Sequence, residues 1–304
     1  MKEGRKRETS YLDKRFSMIA HVEAILLGAA QDGGVPQAGC SCPRCQAAQA
    51  DPRRSRWVVS LGLVDRTAGQ SWIVDATPDF RQQWGLLHRM APDCSLAGIL
   101  LTHAHLGHYT GLLHLGKEAW NTHQLPVYAS PSMCRFLQGN APWRQLVEHG
   151  NILLHPLAAE QTYPLSKDLR VTPMPVPHRS EWSDVWAYVV AGPTGRLFFC
   201  PDIDDWELWP YDLGHFLRAM DAALLDGCFF DGAELPGRDM TQIPHPLAVD
   251  TARRVAVARD AGLLCDVRLV HLNHTNPLWD PGPERAWLRE QGLDIAERGD
   301  RWQL

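Results

Sequence analysis

The stretch from Gly98 to Trp120 places the tightest constraint on what this chain can fold into. It reads G-I-L-L-T-H-A-H-L-G-H-Y-T-G-L-L-H-L-G-K-E-A-W and begins with a short aliphatic run, which is typical of a buried strand. Three histidines with the spacing H-x-H-x-x-H follow this run, and apolar residues at helical spacing predict a helix over residues 111–120. The histidines therefore lie between a strand and a helix, where α/β folds place their binding sites.

The three histidines are His103, His105 and His108, and their chemistry predicts a metal site. Imidazole is a borderline-soft ligand that suits zinc and iron. Two histidines one residue apart on a turn can direct ring nitrogens at one ion, and the third can face a neighbouring ion. A single histidine is more often a core or surface residue than a ligand, and we interpret His114 in that way.

This spacing at a strand end resembles the signature of the metallo-β-lactamase superfamily of metal-dependent hydrolases, whose usual form is H-x-H-x-D-H. The resemblance implies a single α/β domain with the αββα sandwich of that superfamily. Gly107 stands where the superfamily usually has an Asp ligand. Glycine has no side chain, so the sequence predicts that a second ion binds weakly unless another residue moves in, with His245 and Asp226 as first candidates. It also predicts that replacing Gly107 by Asp strengthens the second site, if the loop has room.

Composition favours one large domain. The chain has 304 residues, of which 45% are hydrophobic and 21% charged. A net charge of −5 makes nucleic acid an unlikely partner, and no apolar run approaches the ~20 residues of a membrane helix. Residues 1–17 are basic and lack the features of a secretory signal, so we expect a disordered tail followed by one domain over residues 18–304.

Eight cysteines occur, and three of them form the motif C-x-C-x-x-C at Cys40, Cys42 and Cys45. This motif follows a predicted strand at residues 22–27 and lies in a loop rich in glycine and proline. The other five are scattered, which suits reduced thiols in the cytoplasm better than a disulfide framework. Three thiolates leave a tetrahedral zinc one ligand short.

Strands and helices alternate along the rest of the chain, which indicates a layered α/β fold. We predict a hairpin of strands 58–64 and 71–76, followed by a helix that ends near His88. Asp75 and Asp79 are interpreted as strand-end and helix-cap residues. Further segments are a strand at 126–129, a helix at 131–137, and strands at 152–154, 169–172, 186–190, 197–200 and 222–225.

Two more candidate ligands follow extended segments in the second half of the chain. His178 ends a proline-rich stretch, and Asp202 follows the strand at 197–200. Superfamily members place a lone His and then an Asp in these contexts, so the resemblance implies metal-ligand roles, with Asp202 able to bridge two ions. Asp204 and Asp205 are interpreted as helix-cap carboxylates.

Residues 229–246 are rich in helix and strand breakers and predict a long loop, and such loops are usually functional or disordered. His245 lies between two prolines in this loop. Its two readings are proton transfer in the active site, which we adopt, and a structural role. Arg238 either meets an anionic substrate or lies on the surface.

The segment R-L-V-H-L-N-H-T-N-P at residues 268–277 carries two histidines three residues apart. It resembles the corresponding segment of the cyclic phosphodiesterase of phosphonate degradation. That resemblance implies that His271 is an active-site ligand and that His274 completes a structural zinc site with Cys40, Cys42 and Cys45.

A further resemblance covers residues 22–304. The segments G-A-A-Q-D-G-G-V-P-Q-A-G-C-S-C-P-R-C, D-A-T-P-D-F-R, H-Y-T-G-L-L and H-L-N-H-T-N-P-L-W-D-P-G-P-E-R are similar to those of the pyrroloquinoline quinone biosynthesis B family. That family usually lacks the first two histidines of the motif and the strand-end Asp. The resemblance therefore implies a relative of that family with a hydrolase-like metal site.

Together these patterns predict a metal-dependent hydrolase of a phosphodiester or another small ester. His103, His105, His178 and Asp202 would hold an ion that lowers the pKa of bound water from 15.7 toward ~7. His108 and His271 would share Asp202 to hold a second ion or stabilise the leaving oxygen. We expect zinc, manganese or iron there, and a small-molecule substrate; the sequence leaves a homodimer open. The alternatives are an iron-dependent oxygenase related to quinone biosynthesis and a metal-stabilised binding protein without turnover.

Overall fold

The protein is built on two seven-stranded sheets in the computed structural model, which describes residues 21–304. In the first sheet the strand order is β14-β1-β2-β3-β4-β5-β6. Its bounds are β1 Val22–Gly28, β2 Ser60–Asp65, β3 Gln70–Val74, β4 Ser95–Leu100, β5 Leu125–Ala129, β6 Ile152–Pro156 and β14 Arg301–Gln303. Strands β2 and β3 form the predicted antiparallel hairpin, and β3 to β6 run parallel.

The second sheet has the order β13-β12-β11-β10-β9-β8-β7. Its bounds are β7 Tyr163–Pro164, β8 Arg170–Pro175, β9 Trp186–Ala191, β10 Arg196–Cys200, β11 Ala222–Asp226, β12 Asp266–Val270 and β13 Asp294–Ile295. Strands β10 to β13 are parallel, and β7 to β10 pair antiparallel.

Helices lie on the outer faces of both sheets, and one short helix packs with the cysteine loop instead. They are α1 Pro43–Ala50, α2 Phe80–Met90, α3 Leu106–Tyr109, α4 Pro131–Gly139, α5 Ala141–Glu148, α6 Leu213–Leu217, α7 Ala248–Asp260 and α8 Pro283–Glu290, with 3₁₀ turns at Pro52–Arg54, Thr110–Leu115, Met240–Gln242 and Pro277–Trp279. None of the described helices has the length and apolarity of a membrane span.

The helix predicted over residues 111–120 is wrong. The structure has the one-turn helix α3, followed by a 3₁₀ turn that ends at Leu115. The backbone N–H of Gly111 donates to the carbonyl of Ala76 at 2.8 Å, so it is held by the end of the neighbouring strand. A Cβ at Gly111 would lie 2.2 Å from the carbonyl oxygen of Thr77, so only glycine permits this approach. The histidine motif is therefore packed directly against the sheet.

Side-chain alternation in β1 shows why the sheets stack. Val22, Ala24 and Leu26 pack in the core that includes the inner face of the second sheet, whereas Ile25 and Leu27 pack with residues of α2, α4 and α5. Successive strand residues point to opposite faces, so a strand that is apolar throughout requires cover on both sides. The result is four layers in the order αββα, which confirms the predicted single-domain fold class. The tail predicted at residues 1–17 lies outside the described residues.

The carboxyl ends of the parallel strands position the polar side chains. Asp75 follows β3, and Thr102 and His103 follow β4 in the first sheet. Asp202 follows β10, and His271 follows β12 in the second sheet. Ligand sites of α/β sheets form at such strand ends. Here the ends from both sheets meet at one edge of the sandwich.

Candidate metal centre

Three of the predicted ligands form one cluster at this edge. His105 Nδ1 lies 3.3 Å from His178 Nε2, and the ring of His103 is centred 4.4 Å from that of His105. One ring nitrogen of each of the three lies within 4.8 Å of the others. These three imidazoles can hold one ion.

A second cluster lies beside the first and shares a carboxylate with it. Asp202 Oδ2 is 3.1 Å from His108 Nε2, and Asp202 Oδ1 is 3.3 Å from His271 Nε2. The same Oδ1 lies 3.6 Å from His178 Nε2 in the first cluster. The Asp202 carboxylate thus lies between the clusters, within 3.6 Å of imidazoles from both.

Two orphaned atoms show that the centre fits a cation. His103 Nε2 and Asp202 Oδ2 are buried and accept or donate no hydrogen bond, although Asp202 Oδ2 forms an ion-pair contact with His108. Buried polar atoms are nearly always hydrogen-bonded, so such atoms call for another partner. Burial, reinforced by the neighbouring His108, holds the pKa of His103 well below its usual range and leaves a neutral ring that can bind metal.

Charge around His108 supports the same interpretation. Burial alone would lower the pKa of His108, but the carboxylates of Asp75, Asp202 and Asp32 outweigh burial and raise it well above its usual range. Burial alone would raise the pKa of Asp202, whereas His271 and His108 lower it well below its usual range. Carboxylates that draw a proton onto an imidazole also stabilise a metal ion in its place.

Partners on the far side of the rings orient the candidate ligands. His108 Nδ1 lies 2.7 Å from Asp75 Oδ2, and His178 Nδ1 lies 2.6 Å from Asp204 Oδ1. Such carboxylates fix the orientation and tautomer of metal-binding histidines. The interpretation of Asp75 and Asp204 as simple strand-end and cap residues missed this role. The available sequence signal was position, because Asp75 lies at the end of a predicted strand and Asp204 lies two residues after the predicted ligand Asp202.

The backbone also holds two of these residues in an uncommon conformation. His271 has φ of +62° and Asp75 has φ of +67°, in the left-handed region that non-glycine residues seldom adopt. Such conformations cost free energy and cluster at functional sites, where the surrounding structure enforces them. At both positions the turn directs a strand-end side chain into the centre.

His245 reaches the centre from its long loop. Its ring is centred 5.4 Å from the rings of His178 and His271, and its Nδ1 lies 2.6 Å from Asp226 Oδ2. Burial alone would lower the pKa of His245, but the Asp226 carboxylate outweighs burial and raises it to about 9. His245 thus lies beside the clusters, with its Nδ1 held by Asp226.

The cysteine loop forms a separate cluster with the second histidine of the C-terminal pair. His274 Nδ1 lies 3.6 Å from the sulfur of Cys40 and 3.7 Å from those of Cys42 and Cys45. Zinc bonds of about 2.3 Å to sulfur and 2.0 Å to nitrogen at tetrahedral angles separate such atoms by about 3.5 Å. The four side chains therefore have the spacing of a tetrahedral zinc site.

The thiolate form is favoured at one of these cysteines. Burial alone would raise the pKa of Cys42, but the backbone N–H of Cys45 and the ring of His274 outweigh burial and lower it to about 6. The Cys42 sulfur accepts this N–H at the N-terminus of α1. A thiolate is the form that binds metal.

Asp32 is a residue of the centre that the sequence interpretation missed. Its Oδ1 lies 3.1 Å from His108 Nε2 and 3.3 Å from His271 Nε2. His245 and Asp226, the first candidates for the role that Gly107 leaves open, pair with each other and lie with Asp202 and His271 in another group of possible ligands, whereas Asp32 contacts His108. The only signal for Asp32 was an acidic residue in a glycine-rich loop that also carries the cysteines.

The comparisons with known proteins agree with this architecture. Residues 71–264 match the family model described as a beta-lactamase superfamily domain. The chain therefore belongs to the metallo-β-lactamase superfamily, as its histidine motif predicted. Coenzyme PQQ synthesis protein B of Rhodopseudomonas palustris is 32% identical over 321 residues, which cover 91% of this chain and 98% of that protein. Within the superfamily, the chain is thus a member of the coenzyme PQQ synthesis protein B family.

Two solved structures share the fold. Zn²⁺-bound PqqB from Methylobacterium extorquens superposes with a TM-score of 0.76 at 23% identity, over 93% of this chain and all of that one (100%). A diphosphatase of the PhnP family superposes with a TM-score of 0.61 at 19% identity, over 92% of this chain and 96% of that one. At these identities both similarities concern the fold.

Proposed function

We propose that the protein is a hydrolase that uses two metal ions to cleave a phosphodiester or another small ester. The observation that carries this proposal is the convergence of His103, His105, His108, His178, His271 and Asp202 at one edge of the sandwich, with three of their atoms buried and without a hydrogen-bond partner. When bound there, the ions supply a water nucleophile of lowered pKa and polarise the substrate's oxygen. Zinc or manganese suits this reaction, and zinc suits the thiolate cluster.

The histidine outside the clusters has the position of a general acid. Asp226 binds His245 at Nδ1 and so directs Nε2 away from that carboxylate. A proton on Nε2 can pass to the oxygen of the leaving group, which would otherwise depart as a high-energy alkoxide. Asp226 also accepts the backbone N–H of Ile203 and that of Cys228, so its carboxylate is rigidly held.

A cavity of about 480 Å³ opens beside His245 and gives room for a small substrate. Arg253 and Arg254 line it, although they pair with Asp250 and Glu207, respectively. Arg179 is exposed next to His178 and lies close to His245. Its positive charge opposes the larger effect of Asp226 on the pKa of His245. Asp204, Asp205, Glu207 and Asp250 also line the cavity, so the support for an anionic ester such as a phosphodiester comes from Arg179.

A second candidate follows from the relatives. They are named for coenzyme PQQ synthesis and match about nine tenths of the chain. A site of histidines and carboxylates with open positions also suits Fe(II). An iron-dependent oxygenase related to quinone biosynthesis is therefore the alternative. None of the eight cysteines forms a disulfide, which supports the cytoplasm as the location in either case.

Metal analysis of protein purified without added metal distinguishes these candidates. Zinc or manganese at the histidine centre supports hydrolysis. Iron with oxygen consumption supports the oxygenase. Zinc at the thiolate cluster alone would instead indicate a metal-stabilised binding protein without turnover.

A substrate panel then tests the reaction class. Nitrophenyl phosphodiesters, phosphomonoesters, lactones and β-lactams are incubated with the protein and with His103→Ala as the control. We expect turnover of a phosphodiester or another small ester that depends on metal and is lost in the variant. Absence of metal-dependent turnover of every panel member would contradict the proposal.

A further inference from the structure

Asp32 lies where a ligand of the second ion would lie. Two ligand atoms that are each about 2.1 Å from one ion are about 3.0 to 3.4 Å apart at octahedral or tetrahedral angles. Asp32 Oδ1 is 3.1 Å from His108 Nε2 and 3.3 Å from His271 Nε2. Asp202 approaches the same two nitrogens at 3.1 and 3.3 Å. Asp32, His108 and His271 thus offer ligand atoms within 4.8 Å of one another, and Asp202 approaches the same two nitrogens with its two different oxygens.

The space that Asp32 occupies is available because residue 107 is glycine. A Cβ at Gly107 would lie 2.5 Å from both Cγ and Oδ1 of Asp32, and 2.9 Å from its Cα. Real Cβ atoms essentially never approach other atoms so closely. Any side chain at position 107 would thus occupy the volume that the Asp32 carboxylate now fills. Only one of the two positions, 32 or 107, can therefore place a carboxylate in this space.

The backbone around Asp32 holds it beside His271. The N–H of Gln31 donates to the carbonyl of Leu272 at 3.0 Å, and the N–H of Leu272 donates to the carbonyl of Ala29 at 3.0 Å. The N–H of Gly34 donates to the carbonyl of Gln31 at 2.7 Å and closes a turn over Asp32. The carboxylate is therefore presented by a segment that is pinned to the end of β12.

We propose that Asp32 is a metal ligand of the second ion, in place of the carboxylate that the H-x-H-x-D-H motif carries at position 107. The inference shares with the proposed function the premise that the centre binds metal, and nothing about turnover. Asp32, His108 and His271 would hold the second ion, with Asp202 beside the same two imidazoles. The second ion therefore binds comparably to the first, which revises the weak second site expected from Gly107 alone. Gly107→Asp by itself weakens the site, because it crowds Asp32.

Exchanging the two residues tests this assignment. Asp32→Asn, Gly107→Asp and the double variant Asp32→Gly/Gly107→Asp are loaded with zinc and titrated with a chelator while bound zinc is counted. Asp51→Asn is the matched control, because Asp51 pairs with Arg53 near the cysteine loop, away from the centre. We expect both single variants at the centre to bind the second ion at least about 10- to 100-fold more weakly, the range seen when a ligand's supporting partner is lost. The double variant recovers most of this affinity, and the control matches the unaltered protein.

Retention of the thiolate zinc and of the melting temperature shows that each variant is folded. If Asp32→Asn folds poorly, the double variant decides, because it removes the Asp32 carboxylate and refills its volume. Unchanged binding of the second ion in Asp32→Asn, or no recovery in a folded double variant, would overturn the assignment. If the protein binds both ions but hydrolyses no ester, the proposed function is contradicted and the assignment of Asp32 as a ligand is not.

Discussion

Asp204 Oδ1 lies 2.6 Å from His178 Nδ1, so a carboxylate holds one side of a ring whose other nitrogen faces the candidate metal centre. Asp75 holds His108 in the same way in the second cluster, at 2.7 Å. Each cluster thus has its own orienting carboxylate. We therefore expect that the affinity for each ion can be lowered separately by a substitution outside its set of ligands.

We predict that Asp204→Asn lowers the affinity for the first ion and that Asp75→Asn lowers the affinity for the second, each by about 10- to 100-fold. Asparagine keeps the shape of the side chain but loses the charge that favours the metal-binding ring. Zinc content during a chelator titration measures both affinities. Asp205→Asn, at the exposed neighbouring position, is the control. Equal loss of both ions in each variant would argue against separate orienting roles.

The pH dependence of turnover tests His245. Its pKa is raised to about 9, so Nε2 carries a proton at neutral pH and loses it as the pH rises through that value. We therefore expect kcat for an alkyl ester to fall above about pH 9. In His245→Asn this alkaline limb disappears, and kcat drops by about 10²- to 10⁴-fold.

The nature of the leaving group provides the control for this prediction. Nitrophenolate departs without a proton, so a nitrophenyl ester needs a general acid far less than an alkyl ester does. His245→Asn should therefore lose much less activity on the nitrophenyl substrate. An equal loss on both substrates would assign His245 a structural role.

Cys42→Ser tests the structural zinc. The serine hydroxyl is a poor replacement for the thiolate, so we expect the loss of one zinc per chain, a lower melting temperature and a lower soluble yield. Cys134→Ala is the control, because Cys134 is a buried free cysteine of α4 away from the loop. Unchanged zinc content and thermal stability in Cys42→Ser would refute the zinc site.

Arg179→Ala tests whether charge beside the centre selects anionic substrates. We expect KM for a phosphodiester to rise about fivefold, in the range of a partly exposed ion pair, with little change in kcat. KM for a neutral lactone should stay constant, which separates charge recognition from a general disturbance. Arg170→Ala serves as the control, because Arg170 is an exposed residue at the start of β8. Equal effects on both substrates would show that Arg179 does not recognise the negative charge of the substrate.

The sequence by itself determined the α/β class, the metal-binding character and most of the residues that the structure gathers at the two clusters. These conclusions rest on local patterns, such as the spacing of His103, His105 and His108 after an aliphatic run. Local spacing limits which side chains can converge, because a turn after a strand end has few conformations. The roles of His178, Asp202, His271 and His274 came from resemblance, and the structure places each of these residues in a group of side chains that could hold a metal ion.

Only the tertiary structure decided which carboxylate accompanies the second cluster. Asp32 precedes His108 by 76 residues and His271 by 239 residues, so no periodicity or motif links them. Their contact depends on backbone hydrogen bonds that join the loop after β1 to the end of β12. It depends equally on the missing side chain of Gly107, which read as a lost ligand in the sequence. In the folded protein that absence is the space that the Asp32 carboxylate fills.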